Sequence, residues 1–238
     1  MARRTKEEAL ATRHRLLDAA ELLFQAQGVS QTSLQQIAQR AGATRGAIYW
    51  HFDDKADLFN AMMERVTLPF EAATRAAGNA DADPLAELEH AIVGMLRRTT
   101  GDAQVRRVFD IATHMVEYTG EMASLRERHK AARDACVADF ARALAHAARN
   151  ADLRLAVPAR AAAQGMHAML SGLVQNWLLE PGAFELVSAG RRCLRVYLVG
   201  LGFGHNDGLP RTPPRRVAHP KTTLSRRIST DRIRPSEG

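Results

Sequence analysis

Cysteine is scarce in this chain: Cys136 and Cys193 are the only two in 238 residues, too few for a disulfide framework. They fall in separate helical patterns and read as buried, reduced thiols. Long apolar runs are missing as well. The richest stretch, 161–179, is interrupted by Gln164, His167, Gln175 and Asn176, so it reads as a buried helix and not as a membrane span. At the N-terminus Arg3, Arg4 and Lys6 lead into glutamates and an amphipathic pattern, without the apolar core of a signal peptide. No membrane partner is expected, and the location expected is cytoplasmic. Catalytic signatures are absent too: there is no HExxH pair, no GxSxG elbow and no glycine-rich phosphate loop. His114, His129, His146, His167 and Cys136 stand at spacings that support neither a metal nor a nucleophile site. The expectation is a protein that is not an enzyme, with no catalytic residue, no metal ligands and no cofactor. No alternation of period two suggests a strand, which leaves an all-α chain.

What is there is an apolar fraction of 46%, enough for a sizeable core, and a net charge of +7. The charge is uneven. Residues 205–238 hold eight Lys/Arg against three Asp/Glu. Residues 1–52 hold seven against four, a modest attraction for phosphates. Much of the basic excess therefore sits in a terminal segment rich in proline and arginine that buries too little to fold. Three parts are expected: an N-terminal domain over 1–54, a larger helical domain over 55–204, and a disordered basic tail over 205–238.

The informative stretch is 32–59, TSLQQIAQRAGATRGAIYWHFDDKADLF. Thr32 or Ser33 can cap a short helix, with Gln35 or Gln36 completing a capping box. Gly42 then permits the left-handed turn that ends it. A second short helix follows over 44–52, and the pair reads as a helix-turn-helix. Its inner face needs Ala47, Ile48 and Phe52. Thr44, Arg45, Gly46, Tyr49, Trp50 and His51 are left for the outside or the edges. Arg45 can fork onto guanine O6 and N7, Thr44 can meet a phosphate or a thymine methyl, and Tyr49 and His51 suit phosphates. Gly46 costs about 1 kcal/mol against alanine in a helix, and a close approach of backbone to DNA is a reason for it. Asp53 or Asp54 can cap the next helix, whose Lys55 offers a further charge. The DNA-binding set expected is Thr32, Ser33, Thr44, Arg45, Gly46, Tyr49, His51 and Lys55.

The wording TRGAIYWHF at 44–52, the opening ARRTKEEA at 2–9 and SGLVQNWLLEP at 171–181 together resemble the TetR family of bacterial repressors, in its AcrR-like multidrug-efflux branch. The resemblance implies a fold of two domains, a three-helix reading head and a helical body, with about nine helices in all. It also implies a homodimer whose last two helices pair across a two-fold axis. The heads then read a palindromic stretch of double-stranded operator DNA, in major-groove faces about 34 Å apart. A hydrophobic inducer of antibiotic, dye or phenolic type is implied, with control of an efflux pump operon. A regulator answering to one dedicated metabolite is the alternative within the same architecture. A constitutive DNA-packaging protein is a further alternative, against which Arg45 and Tyr49 in a defined reading helix predict a specific site.

The remaining helices expected are 6–27, one from near Asp54 that Pro69 kinks or stops, and 84–99, 103–116, 121–149, 158–180 and 183–202, separated by glycine, proline and Asn/Asp breaks. Gly165, Ala168 and Gly172 suggest close helix approach at a subunit interface. In the branch the faces of the middle helices surround a drug pocket. The middle helices here offer Ile92, Met95, Leu96, Phe109, Thr113, Phe140, His167, Leu170, Ser171 and Val174, an apolar set with a few polar interruptions that suits a small-molecule site, and with Thr67 they are the ligand-binding residues expected. Related repressors can carry an acidic group for cationic drugs at the position of Thr67, for which Asp110 or Glu117 can substitute here.

Overall fold

The computed structural model describes residues 6–80, 83–117 and 123–204. The Arg3 and Arg4 arm, residues 118–122 at the expected start of the seventh helix, and the basic tail lie outside the described residues. Among the described residues the chain is all-helical, with nine helices and no strand: α1 (Lys6–Gln27), α2 (Leu34–Arg40), α3 (Arg45–His51), α4 (Lys55–Gly78), α5 (Pro84–Gly101), α6 (Ala103–His114), α7 (Ala123–Asn150), α8 (Ala159–Leu179) and α9 (Leu186–Leu201). None is long and apolar enough to cross a membrane.

The ends of the short helices are fixed by local chemistry. Ser33 Oγ accepts from Gln36 N at 3.2 Å while Gln36 Oε1 accepts from Ser33 N at 2.8 Å, a reciprocal capping box. At the other end of α2, Gly42 takes φ +63°. Its N–H bonds Gln39 O and that of Ala43 bonds Ala38 O, which satisfies two carbonyls and turns the chain into α3. Thr44 Oγ1 caps α3 through Ala47 N at 3.1 Å, and Asp54 caps α4 through Asp57 N at 2.7 Å.

Along α1 the buried residues are Thr12, Leu16, Leu17, Ala19, Ala20, Glu21 and Phe24. Leu10 shares the angular position of Leu17 and Phe24, yet it is 49% exposed, because its turn lies beyond the buried layer. Helix α4 does not stop at Pro69. It runs on to Gly78, although the proline removes a backbone bond and costs about 3 kcal/mol. Burial of Val66, Thr74 and Ala77 on either side holds the helix together. Arg98 of α5 donates to Val66 O at 3.4 Å, one turn before the proline.

Two apolar clusters form. The first joins α1, α2, α3 and α4 as far as Val66, and takes in Val105, Val108 and Ile111 of α6 and Leu125 of α7. The second joins Ala77, α5, α7, α8 and α9, with Phe140, Leu144, Met166 and Trp177 among its members. Phe109 packs against both. Gly165 is a site of close approach within the subunit: a Cβ there would lie 2.3 Å from Tyr197 Oη. That hydroxyl donates to Ala162 O at 2.7 Å and so locks α9 to α8. A Cβ at Gly172, by contrast, would meet nothing within 4 Å.

Candidate functional site

Helix α3 turns Ile48 inward, at 0% exposure, with Phe52 behind it at 2%, and presents everything else. Thr44, Arg45, Gly46, Tyr49 and Trp50 are exposed, and His51 is half-buried. The Arg45 guanidinium lies 5.8 Å from the Tyr49 ring centroid, a cation–π contact that limits its rotamers while leaving its N–H fork outward. Trp50, whose sequence position leaves core and surface equally open, is 72% exposed. It stands edge-on to His51 with ring centroids 4.6 Å apart. A Cβ at Gly46 would meet nothing nearer than Thr44 Oγ1 at 4.0 Å. Nothing inside the protein therefore requires glycine there, and the open space lies on the outer face.

An open groove of about 400 Å³ borders this face, between the start of α2, Tyr49 and the start of α4. Ser33 stands on it, exposed. Two expected residues do not present themselves as the sequence suggests. Lys55 is buried, and its Nζ donates to Thr32 O at 2.9 Å and Ser30 O at 3.3 Å, so its charge closes the loop before α2 instead of meeting a phosphate. Thr32 is 1% exposed, with its hydroxyl donating to Gly28 O at 2.8 Å. Both are corrections to the DNA-binding set: desolvated carbonyls of a tight loop need donors, and these two side chains supply them.

Sequence reasoning missed a polar cluster behind the head. Glu21 of α1 is buried, and its carboxylate pairs with Arg65 of α4 and, at 3.3 Å, with Arg107 of α6, while Gln104 Nε2 donates to it at 3.1 Å. Arg65 also bonds Asp18 at 2.8 Å. A carboxylate inside an apolar helical stripe was the available sign, since such a charge is retained only when paired.

In the body, Ile92, Met95, Leu96, Phe109, Phe140, Leu170 and Val174 are brought together in the second cluster. Ile92 and Leu96 are fully buried, and Phe140 stacks edge to face on Phe70 at 6.4 Å. Thr67, His167 and Ser171 are half-buried, with Ser171 Oγ 3.4 Å from His167 Nδ1. Burial, with Arg133 and His129 nearby, holds the His167 pKa below its ordinary value. Thr113 is exposed and stands apart from this group. Neither the groove beside α3 nor a second cleft, beside α6, is lined by any residue of the expected ligand set. Asp110, a substitute acid, is engaged by His114 Nδ1 at 2.8 Å.

A capped helix-turn-helix with a donor-rich second helix, carried on a helical body, defines a DNA-binding transcriptional regulator. The chain belongs to the TetR family: residues 16–62 match the bacterial regulatory proteins of that family, and residues 83–202 match the C-terminal region of MAATS-type transcriptional repressors. It is 38% identical over 208 residues to the transcriptional regulator AcrR of Shigella flexneri, spanning 83% of this chain and 93% of that one. Among solved structures it is similar to NalD, the secondary repressor of the MexAB-OprM multidrug efflux pump in Pseudomonas aeruginosa, with TM-score 0.74 and 35% identity over 82% of this chain and 98% of that one. It is also similar to SmeT, the repressor of a multidrug efflux pump of Stenotrophomonas maltophilia, in complex with triclosan: TM-score 0.73 and 31% identity over 79% of this chain and 90% of that one. This chain is accordingly a transcriptional repressor of the TetR family, and the resemblance to the AcrR branch drawn from its motifs holds.

Proposed function

We propose that the chain acts as a homodimer on a palindromic operator of an efflux-pump operon and is released when hydrophobic small molecules enter its body. The observation that carries this reading is the exposed face of α3 on a chain whose relatives repress multidrug efflux pumps. Arg45 supplies the base-reading fork, a contact worth about 1–3 kcal/mol of discrimination. Tyr49, Thr44, His51 and Ser33 position the backbone, and Gly46 allows the close approach. Residues 1–54 form the reading unit and 55–204 the responding one. The cytoplasm, where the operator is, is the location that follows.

The dimer rests on the outer faces of α8 and α9. Leu179, Val196 and Val199 are 69%, 73% and 47% exposed, large apolar side chains left uncovered on the last two helices, as an interaction site leaves them. A two-fold axis along this face sets the two heads on successive major-groove faces.

The inducer site rests on the second cluster. Its apolar side chains, with Thr67, His167 and Ser171 as polar interruptions, give the make-up of a small-molecule site, and Met95 can repack around a guest. An imidazole held neutral and a threonine at position 67 favour uncharged aromatic compounds. A ligand bound there releases DNA only through tighter binding to the off-DNA form.

Fluorescence anisotropy of the full chain on its own upstream DNA, at fixed salt, tests the reading. Specific binding lost on addition of several unrelated antibiotics, dyes or phenolics is expected. Binding that no such compound disturbs moves the reading to a dedicated metabolite, and binding without sequence preference overturns it.

A further inference from the structure

Between α1, α6 and the end of α8 lies a cleft of about 180 Å³, away from the reading face and touching the second cluster through Leu178. Its polar wall is Arg106, Arg107 and Asp110 of α6 with Gln25 of α1, and its apolar wall is Leu178 and Pro181. The charges do not cancel. Asp110, hydrogen-bonded to His114, brings one negative charge against two guanidiniums. Arg107 spends one arm on Glu21, at 3.3 Å, and remains 27% exposed. Arg106 is exposed, and among the described residues no carboxylate lies within ion-pair distance of it. The cleft thus offers an unneutralised guanidinium, a second one half-committed, and a hydrophobic wall opposite them.

Its size limits the occupant. Drug-sized ligands need clefts of about 300 Å³ or more, so this one suits a molecule of a single ring or a short chain. We propose that the cleft is a second ligand site, separate from the inducer site, for small amphipathic carboxylates. The carboxylate sits in the fork of Arg106, where planar bidentate recognition favours it over a neutral oxygen, and the apolar part lies on Leu178 and Pro181. A bound carboxylate also competes with Glu21 for Arg107. Occupancy therefore loosens the longest of the three ion pairs that tie α1 to the helices behind it.

The test uses the full chain with benzoate as the probe and benzyl alcohol, of nearly the same shape without the charge, as its counterpart, both titrated calorimetrically. Saturable binding is expected with benzoate at least tenfold tighter than benzyl alcohol. Arg106→Gln should weaken benzoate tenfold or more, and Arg106→Lys by less. Ala103→Phe, which leaves every charge in place and fills the cleft from its exposed rim, should abolish binding. Unchanged thermal unfolding of these surface variants keeps the comparison clean. Equal binding of the two compounds overturns the proposal, as does benzoate affinity that survives Arg106→Gln or Ala103→Phe. No arm uses operator DNA, so the outcome stands apart from that of the efflux reading.

Discussion

The two short helices of the head and the last two helices of the body are held by different means in this repressor. Helices α2 and α3 have seven residues each, and each begins with a side-chain hydroxyl that accepts a backbone N–H. Helices α8 and α9 have 21 and 16 residues and begin at Pro158 and Glu185 with no side-chain cap. A helix of two turns cannot recover its nucleation cost from its own bonds, so each of its ends must be satisfied by a neighbour. A long amphipathic helix recovers that cost by burying a face. The contrast explains why polar residues near the DNA surface divide into two sets. Ser33, Thr44, Thr32 and Lys55 are engaged in building the motif, which leaves the outer side chains of α3 for the base reading proposed above.

Emptying each core gives the largest effect and the most direct way to break this comparison. Phe24→Ala and Phe140→Ala each remove a fully buried ring and should cost about 3–5 kcal/mol in urea unfolding. A cost below about 1 kcal/mol for Phe140→Ala would mean that the body core is not close-packed. Next come two charges with opposite fates. Arg45→Ala should weaken specific operator binding by about 1–3 kcal/mol with the melting temperature unchanged. Lys55→Met should instead lower stability by about 1–3 kcal/mol, by stripping two loop carbonyls of their donor, while leaving the salt dependence of DNA binding as it was. A reduced salt slope in Lys55→Met would return that residue to the DNA surface.

Smaller still are the caps. Ser33→Ala and Thr44→Ala should each cost about 1 kcal/mol, whereas Glu185→Ala at the start of α9 should stay within about 0.5 kcal/mol. Equal costs at the two places would erase the distinction. The smallest effect concerns Cys136 in the body, whose thiol is pushed from the ordinary 9.0 up to about 12, by burial first and then by Asp139 and Glu71. Iodoacetamide at pH 8 should leave it unmodified by mass spectrometry unless the chain unfolds. The folded form keeps a proton there that the unfolded form loses. Stability from this group is therefore complete below pH 9.0 and declines as pH rises towards 12.

The reading head was legible in the sequence because its determinants are neighbours in the chain. Ser33 and Gln36 are three residues apart, Gly42 marks the turn, and Thr44 opens the next helix. Lys55 was misread because the carbonyls it serves belong to Ser30 and Thr32, 25 and 23 residues away. The Glu21 cluster escaped notice for the same reason, its arginines lying 44 and 86 residues distant. Pro69 was read as a break because local propensity says nothing of the packing that carries α4 past it. In the body, periodicity showed which faces are apolar. Whether those faces close on one another or leave room for a guest depends on the volumes of Ile92, Leu96, Phe140 and their partners together, which no short window of residues contains.

The backbone bond from Val29 N to Met115 O, at 3.2 Å, lies beside the Val105, Val108 and Ile111 side chains that complete the first cluster. Mechanically, α6 is therefore a wall of the head as well as a strut of the body. A push delivered to it by an occupant of the body needs no chain of intermediaries. On the proposed function, that push would reach the reading helix through side chains belonging to the head's own core.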